Sequence, residues 1–507
     1  MLLANLFVYV REYAPWLILS FIAVYLVNNK FCQGINHIPG PWLAGFSDVW
    51  RLLLVWGRRP EVAHRLLHAK YGPLVRIGPR TVIVGDPNAI KTIYALNAGF
   101  VKSGFYPVQM TVANGRELHS MFNTTDEVFH AKLRRAVSNA YAMSTLVKFE
   151  PLVDSTTEAF VKQLKQRFAD RQDDSGICDL GTWLQYYAFD VIGELTFSAR
   201  IGFVDRGLDV DSIIGDLEWL LNYVAVVGQI PWLDRLLLKN PVRMLFSKYN
   251  LFKATSSVAV FARQRMSERQ MKPAEDSTLS SKDFLSRFMD ANKKDPTFIS
   301  KDRVLALTVA NCFAGSDTTA ITLRAVFYYL LKNPKSMEKL LAEISEFEGL
   351  VSWEQSRDLP YLSSVIKEAL RIHPAVGLPL ERIVPAGGIS VCDTFIPGGT
   401  IIGCSAWVVH KDQRVFGEDA DQWRPERWLE GGAEKQSLMN SMLFSFGAGS
   451  RTCIGKNISL LEMHKLVPTL LKTFKLELVG SEQSWTLHNA WFVKQNDFRV
   501  RLKELRQ

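Results

Sequence analysis

The chain has 507 residues, 60 Lys and Arg against 51 Asp and Glu for a formal net charge of +9, and it is 48% hydrophobic and 22% charged. That balance supplies a large core and excludes a disordered chain, and 32 Gly and 21 Pro without an internal repeat exclude a fibre or an array. Six cysteines with no C-x-x-C pair exclude a disulfide scaffold and fit a reducing compartment, while the basic excess alone fits an anionic membrane, an acidic protein or nucleic acid. The first element is apolar: residues 13–27 read YAPWLILSFIAVYLV and residues 2–10 are also uncharged, with Arg11 and Glu12 between them. A membrane span needs about 20 largely apolar residues, which this segment supplies if it begins near Val8 or Val10 and keeps Arg11 and Glu12 at the interface. A cleaved signal would open on basic residues, and none precedes the first apolar run. Residues 1–30 therefore read as a transmembrane anchor. In His37-Ile38-Pro39-Gly40-Pro41-Trp42 two prolines fix φ, so residues 31–44 form a stiff, proline-rich hinge and residues 45–507 remain for one large catalytic domain.

His64 and His68, at i and i+4, have Arg65 where a zinc hydrolase places a glutamate, so they read as part of a surface amphipathic helix. Residues 74–77 and 81–84, β-branched around Gly78-Pro79, predict a strand pair. The stretch from Phe100 through Phe105, Tyr106 and Met110 to Phe122 is an aromatic-rich loop. The sequons at Asn123 and Asn457 read as chance occurrences in a domain that never enters a lumen. Residues 263–282 are polar with a proline and predict an exposed helix end and loop. Residues 300–332 are apolar on more than one side, which predicts a long helix through the core. A further helix over 335–347 follows, with Asn333 as cap, Pro334 at its first position, and Met337, Leu340, Leu341 and Ile344 on one face. Glu368 and Arg371, at i and i+3, share a helix face and can pair. Residues 389–402, broken by Pro397-Gly398-Gly399, are β-rich, so the domain is mainly α with small β-sheets, an α+β class.

The most specific stretch is Phe446-Gly447-Ala448-Gly449-Ser450-Arg451-Thr452-Cys453-Ile454-Gly455. Its glycines permit tight turns and close approach to a flat cofactor, and an apolar helix begins just beyond Cys453, where a thiolate is electrostatically favoured. Arg451 could give two parallel bonds to a carboxylate. The stretch resembles the haem-binding signature F-x-x-G-x-R-x-C-x-G of the cytochrome P-450 family, a match expected by chance about once in 10⁴ chains of this length. The resemblance implies the fold of that family, with haem b held by Cys453 as axial iron ligand. It also implies contacts to the cofactor from Phe446, Gly449, Arg451 and Gly455. A thiolate ligand favours O–O cleavage over oxygen carriage.

Other segments extend the likeness. Ala314-Gly315-Ser316-Asp317-Thr318-Thr319 resembles the family's oxygen-activation motif. There Ala314 and Gly315 leave room over the iron, Thr318 relays a proton or bonds back to the Ala314 carbonyl, and Asp317 feeds the relay. Glu368-Ala369-Leu370-Arg371 matches E-x-x-R, and Pro425-Glu426-Arg427-Trp428 matches P-E-R-F with Trp for Phe, so Glu368, Arg371 and Arg427 are expected to support the cysteine loop. His130 and Arg134, in HAKLRR, and Arg382 resemble the residues that hold the haem propionates. Residues 133–144, LRRAVSNAYAMS, look like fungal pisatin-demethylase-type relatives, members active in secondary metabolism.

The expected reaction is oxidation of a bulky apolar small molecule, such as a polyketide or terpenoid. Substrate contacts are expected at Phe105, Tyr106, Phe122, Phe313, Val376, Leu378, Trp491 and Phe492. The chain has no G-x-G-x-x-G unit or flavin domain, so electrons for O2 activation are expected from an NADPH-dependent cytochrome reductase in the same membrane. That membrane is expected to be the endoplasmic reticulum, with the catalytic domain in the cytoplasm. The basic excess then serves membrane lipid and reductase, with nucleic acid dropped. A haem-thiolate isomerase or dehydratase, or a haem sensor, remains the alternative, although neither needs the Asp317 and Thr318 pair.

Overall fold

The computed structural model describes residues 2–113, 115–249, 257–271, 283–480 and 484–505. Its organising element is the helix Lys301–Lys332. The Ser300 side chain accepts a bond from the Arg303 N–H at its start, and the chain leaves it at Asn333 because Pro334 has no N–H to continue the ladder. Val304, Leu305, Ala306 and Leu307 are consecutive and all buried, so the helix must be covered on every side. The helices Leu180–Phe197, Pro360–Ile372 and Lys456–Thr473 pack against it and share its hydrophobic cluster.

The expected strand pair forms as Leu74–Gly78 against Thr81–Val84, antiparallel with Leu74 opposite Val84. Ile401–Cys404 adds in parallel beside the second strand, then Arg382–Ile383 and Val101–Lys102 complete a five-stranded sheet. Its last register places Lys102 opposite Arg382. Two short strands at Ile389–Val391 and Thr394–Ile396 account for the rest of the β-rich stretch.

Some local expectations change. The helix after Pro334 ends at Glu343, not 347, because Ile344 turns into the core and the Glu343 carboxylate accepts bonds from the Tyr361 and Leu362 N–H groups at the start of the helix Pro360–Ile372. Asn333 does not cap with its side chain, whose Nδ2 donates instead to the Tyr329 carbonyl at 2.7 Å. His64 is not on the surface: it is 3% exposed, and burial drives its pKa down to about 3. The polar stretch begins within a helix, Ser257–Met271, and residues 272–282 lie outside those described.

The N-terminal helix runs Leu2–Phe31, through Pro15. Between Glu12 and Phe31 only 6% of its apolar window is buried, whereas Lys301–Lys332, the other helix among the described residues long and apolar enough to cross a membrane, has 72% of its window buried in the protein core. Further large apolar side chains stay exposed on neighbouring segments: Trp42, Leu53 and Trp56, then Trp232, Leu245 and Phe246.

Candidate active site around Cys453

A cavity of about 350 Å³ lies between the central helix, the cysteine loop and the sheet. Cys453 lines it with its side chain open to the cavity, and its N–H donates to the Phe446 carbonyl at 2.9 Å, closing the loop on itself. Burial pushes the Cys453 thiol up, against the Gly455 N–H, Arg134 and the Lys456 N–H, which favour the thiolate. Gly449 turns the loop at φ +66°, and a Cβ there would stand 1.8 Å from the Tyr94 carbonyl oxygen, so only glycine fits. Contrary to expectation Gly449 does not line the cavity; it shapes the loop against Tyr94 from behind. Phe446, Arg451 and Gly455 do line it.

The loop is held from beneath by a buried charge knot. Glu368 accepts from Arg371 at 2.9 and 2.7 Å and from Arg427 at 3.0 Å, and all three side chains are wholly buried. Asp419 takes a second bond from Arg427 at 2.9 Å and also pairs with Arg424 at 2.6 Å, so the buried guanidinium groups meet more than one carboxylate. Trp428, where the motif has Phe, adds an indole N–H bond of 2.9 Å to Glu368. The link to the cysteine loop is His410, which the sequence reading missed because only the tertiary fold brings it there. The Phe444 N–H donates to its Nε2 at 2.7 Å, so Nδ1 carries the proton and bonds the Arg371 carbonyl at 3.0 Å. Burial and Arg371 lower His410 to about 3, which keeps it neutral for that double role.

From the central helix, Ala314, Gly315 and Thr318 line the cavity. The Thr318 hydroxyl donates to the Ala314 carbonyl at 2.7 Å, as anticipated. A Cβ on Gly315 would meet Ile192 Cδ1 at 2.9 Å, so this glycine also serves packing against the helix Leu180–Phe197. Asp317 does not face the cavity. Its Oδ1 accepts from Gln185 Nε2 at 2.5 Å, and Gln185 Oε1 in turn accepts from Arg324 at 3.1 Å, so an amide separates acid from guanidinium. Burial raises Asp317, opposed by Lys494 and Arg324, which suits a group that must hold a proton.

His130, Arg134, Arg382 and Arg451 all line the cavity. Arg134 donates to the Thr452 carbonyl at 2.8 Å, and Arg382 stands 5.0 Å from the Tyr94 ring. Arg451 is engaged by Glu127 at 2.7 Å and by the Met121 carbonyl at 3.0 Å. Burial, with Arg451 next in effect, lowers His130 to about 3, so it is a neutral donor. These residues fit the haem that the resemblance implies: a thiol open to a deep cavity, apolar walls for a macrocycle, and cations for its two carboxylates.

Tyr106, Phe122, Phe313, Val376, Leu378, Trp491 and Phe492 line the cavity as expected. Phe105 does not; it packs behind Trp491 at 5.0 Å and faces a smaller pocket, and Phe100 and Met110 also lie off the main cavity. Among the polar side chains of the wall that were not anticipated are Tyr141 and Asn311. Tyr141 donates to Asn311 Oδ1 at 2.5 Å, leaving Asn311 Nδ2 without a partner among the described residues. Asn311 lies three positions before Ala314, so a helical-face reading of the motif would have found it.

The cytochrome P-450 family model matches residues 41–498. A cytochrome P-450 monooxygenase of Aspergillus terreus is 44% identical over 450 residues, 87% of this chain and 90% of that protein. The cytochrome P-450 monooxygenase cicH of Emericella nidulans is 41% identical over 497 residues, 96% of this chain and 98% of its own. The cytochrome P-450 monooxygenase mpaDE of Penicillium brevicompactum is 40% identical over 500 residues, 97% of this chain but 58% of that longer protein.

Proposed function

We propose that this chain, which belongs to the cytochrome P-450 family, uses the cavity over Cys453 as a haem-thiolate chamber for oxidising an apolar small molecule. The chain is a monooxygenase whose family works with haem b, O2 and electrons from a reductase. When bound, the haem supplies the redox-active iron at which dioxygen is split, one atom going to substrate and the other leaving as water. The observation that carries the reading is one cavity lined both by the Cys453 thiol and by Gly315 and Thr318 of the central helix.

In this reading the Cys453 thiolate, favoured by the Gly455 and Lys456 N–H groups and by Arg134, would hold the haem iron. His130, Arg134, Arg382 and Arg451 would hold the cofactor's carboxylates, and Phe446 and Gly455 would pack beside it. Ala314 and Gly315 keep the wall low. Thr318 breaks its bond to the Ala314 carbonyl and turns its hydroxyl into the cavity to pass a proton, which Asp317 replenishes from behind the helix through a side-chain swing or an intervening water. Glu368, Arg371 and Arg427 hold the loop rather than take part in the reaction. The aromatic and aliphatic wall from Tyr106 to Phe492 receives the substrate.

The substrate is read as a fungal secondary metabolite, a polyketide or terpenoid; the fungal origin of the relatives supports this. Residues 1–30 anchor the chain in the endoplasmic reticulum membrane, 31–44 form the hinge, and 45–507 form the cytoplasmic catalytic domain served by an NADPH-cytochrome reductase. The exposed apolar surface between Glu12 and Phe31 and the exposed Trp42, Trp56 and Trp232 support contact with a membrane. The reduced protein with carbon monoxide should absorb at the thiolate-ligated position, and Cys453→Ala should abolish that band. A histidine-type spectrum, or a band unchanged by the substitution, would overturn the assignment.

A further inference from the structure

The cavity wall carries more positive charge than the cofactor can neutralise. Lys102, Arg134, Arg382 and Arg451 line it, and among the described residues no Asp or Glu does. Glu127, outside the lining, forms its ion pair with Arg451, which leaves three cations without an ion-paired carboxylate among the described residues. A haem would bring two propionates, and in its ferric resting form the iron, porphyrin and thiolate together would carry no net charge. One buried cation stays uncompensated, and an isolated charge in such a place is costly unless a ligand pairs with it.

Position decides which cation it is. Arg134 is tied to the cysteine loop through the Thr452 carbonyl, and Arg382 lies against Tyr94 on the sheet. Lys102, 5% exposed, instead stands over the substrate wall, its Nζ 4.1 Å from the Tyr106 ring centroid and 4.3 Å from that of Phe122. One of its three N–H donors goes to the Phe122 carbonyl, and the others take no hydrogen-bond partner among the described residues, so they are available to a ligand in the cavity that Lys102 lines. Burial first, then Arg382 and Arg451, presses its pKa well below the ordinary lysine value; the protein by itself compensates this ammonium poorly.

We propose that Lys102 is the anion anchor of the substrate chamber, receiving a carboxylate carried by an aromatic or otherwise apolar substrate. The inference rests on the haem-thiolate reading and narrows it from any apolar molecule to an acid. Rings of Tyr106 and Phe122 flank the ammonium, so the apolar body of the ligand lies on the wall while its carboxylate meets Nζ.

The test uses purified holoprotein and two probes matched in shape, 2-naphthoate and methyl 2-naphthoate, with binding read by equilibrium dialysis and by the haem spin-state shift. The acid should bind roughly ten-fold tighter than the ester. Lys102→Met should erase that preference with ester affinity and haem content kept, and Lys102→Arg should restore it. Equal binding of acid and ester, no binding of either at its solubility limit, or a preference that survives Lys102→Met would each sink the proposal. So would loss of haem from the Lys102→Met protein, which would assign the lysine to a propionate instead. A wild-type preparation without the thiolate band with carbon monoxide would mean that the haem-thiolate reading itself had failed; an intact band without acid preference would sink only the anchor.

Discussion

Thr318 shows at the scale of one side chain how a functional group is kept in reserve. Its hydroxyl is satisfied by the Ala314 carbonyl at 2.7 Å, a bond that a helix tolerates and that costs little to break when a better acceptor arrives. Thr318→Ala is expected to keep its haem while product formation falls on the order of 10- to 10²-fold and electrons are lost as peroxide; tightly coupled turnover in that variant would remove the hydroxyl from the proton path. Glu462 is a different case, a carboxyl with no assigned role. It is wholly buried on the helix Lys456–Thr473, and neither of its oxygens has a partner among the described residues. Burial raises its pKa well above 4.5, so it is protonated where an exposed glutamate is not. A raised folded pKa contributes stability that is complete below the unfolded value and is lost as pH climbs through the folded one. Glu462→Gln, which stays neutral, should therefore match the native protein near pH 4.5 and exceed it above, by up to about 1.4 kcal/mol per pH unit. Thermal unfolding across pH checks this: a gap between the two proteins that does not change with pH would mean that the carboxyl is ionised or bonded.

Between elements, the decisive device is the knot under the cysteine loop. E-x-x-R was readable because i, i+3 spacing places two charges on one helical face, and P-E-R-W was readable as a motif. Their union was implied only by the family resemblance, because the bond from Arg427 to Glu368 joins segments that meet only in the folded protein. His410 had no local signal at all, yet it carries the mechanical link from Arg371 to the backbone of Phe444. Trp428 turns a substitution in the motif into a bond: its indole N–H reaches Glu368 at 2.9 Å. Trp428→Phe should lower stability by roughly 1–3 kcal/mol, since the bond is to a buried carboxylate, and should speed loss of haem on warming. Unchanged melting and haem retention would show that Arg371 and Arg427 alone satisfy Glu368. The helix Pro334–Glu343 teaches the opposite lesson: periodicity carried on past its end, but the Glu343 carboxylate was needed by the helix Pro360–Ile372. Propensity yields there to a tertiary bond.

Across the whole molecule, the exposed apolar surface includes the N-terminal helix and side chains on segments 42–56 and 232–246. Removing residues 1–30 should weaken binding to phospholipid vesicles without abolishing it, and adding Trp56→Ser, Trp232→Ser and Phe246→Ser should release the chain in flotation assays. Complete release by truncation alone would confine the membrane contact to the first helix. The amino-acid sequence by itself determined the helical character of the chain, the exposed apolar N-terminus, the cysteine signature and the motif residues, because each is written in contiguous residues whose spacing already has a physical meaning. Tertiary structure alone decided which of those residues share a cavity. It turned Asp317 away toward Gln185, placed Gly449 and Phe105 behind the wall, and brought Lys102 beside Arg382 through a strand register. Charge balance in a buried chamber is a property of side chains distant in sequence and close in space, so the surplus cation became visible only once the chain had folded.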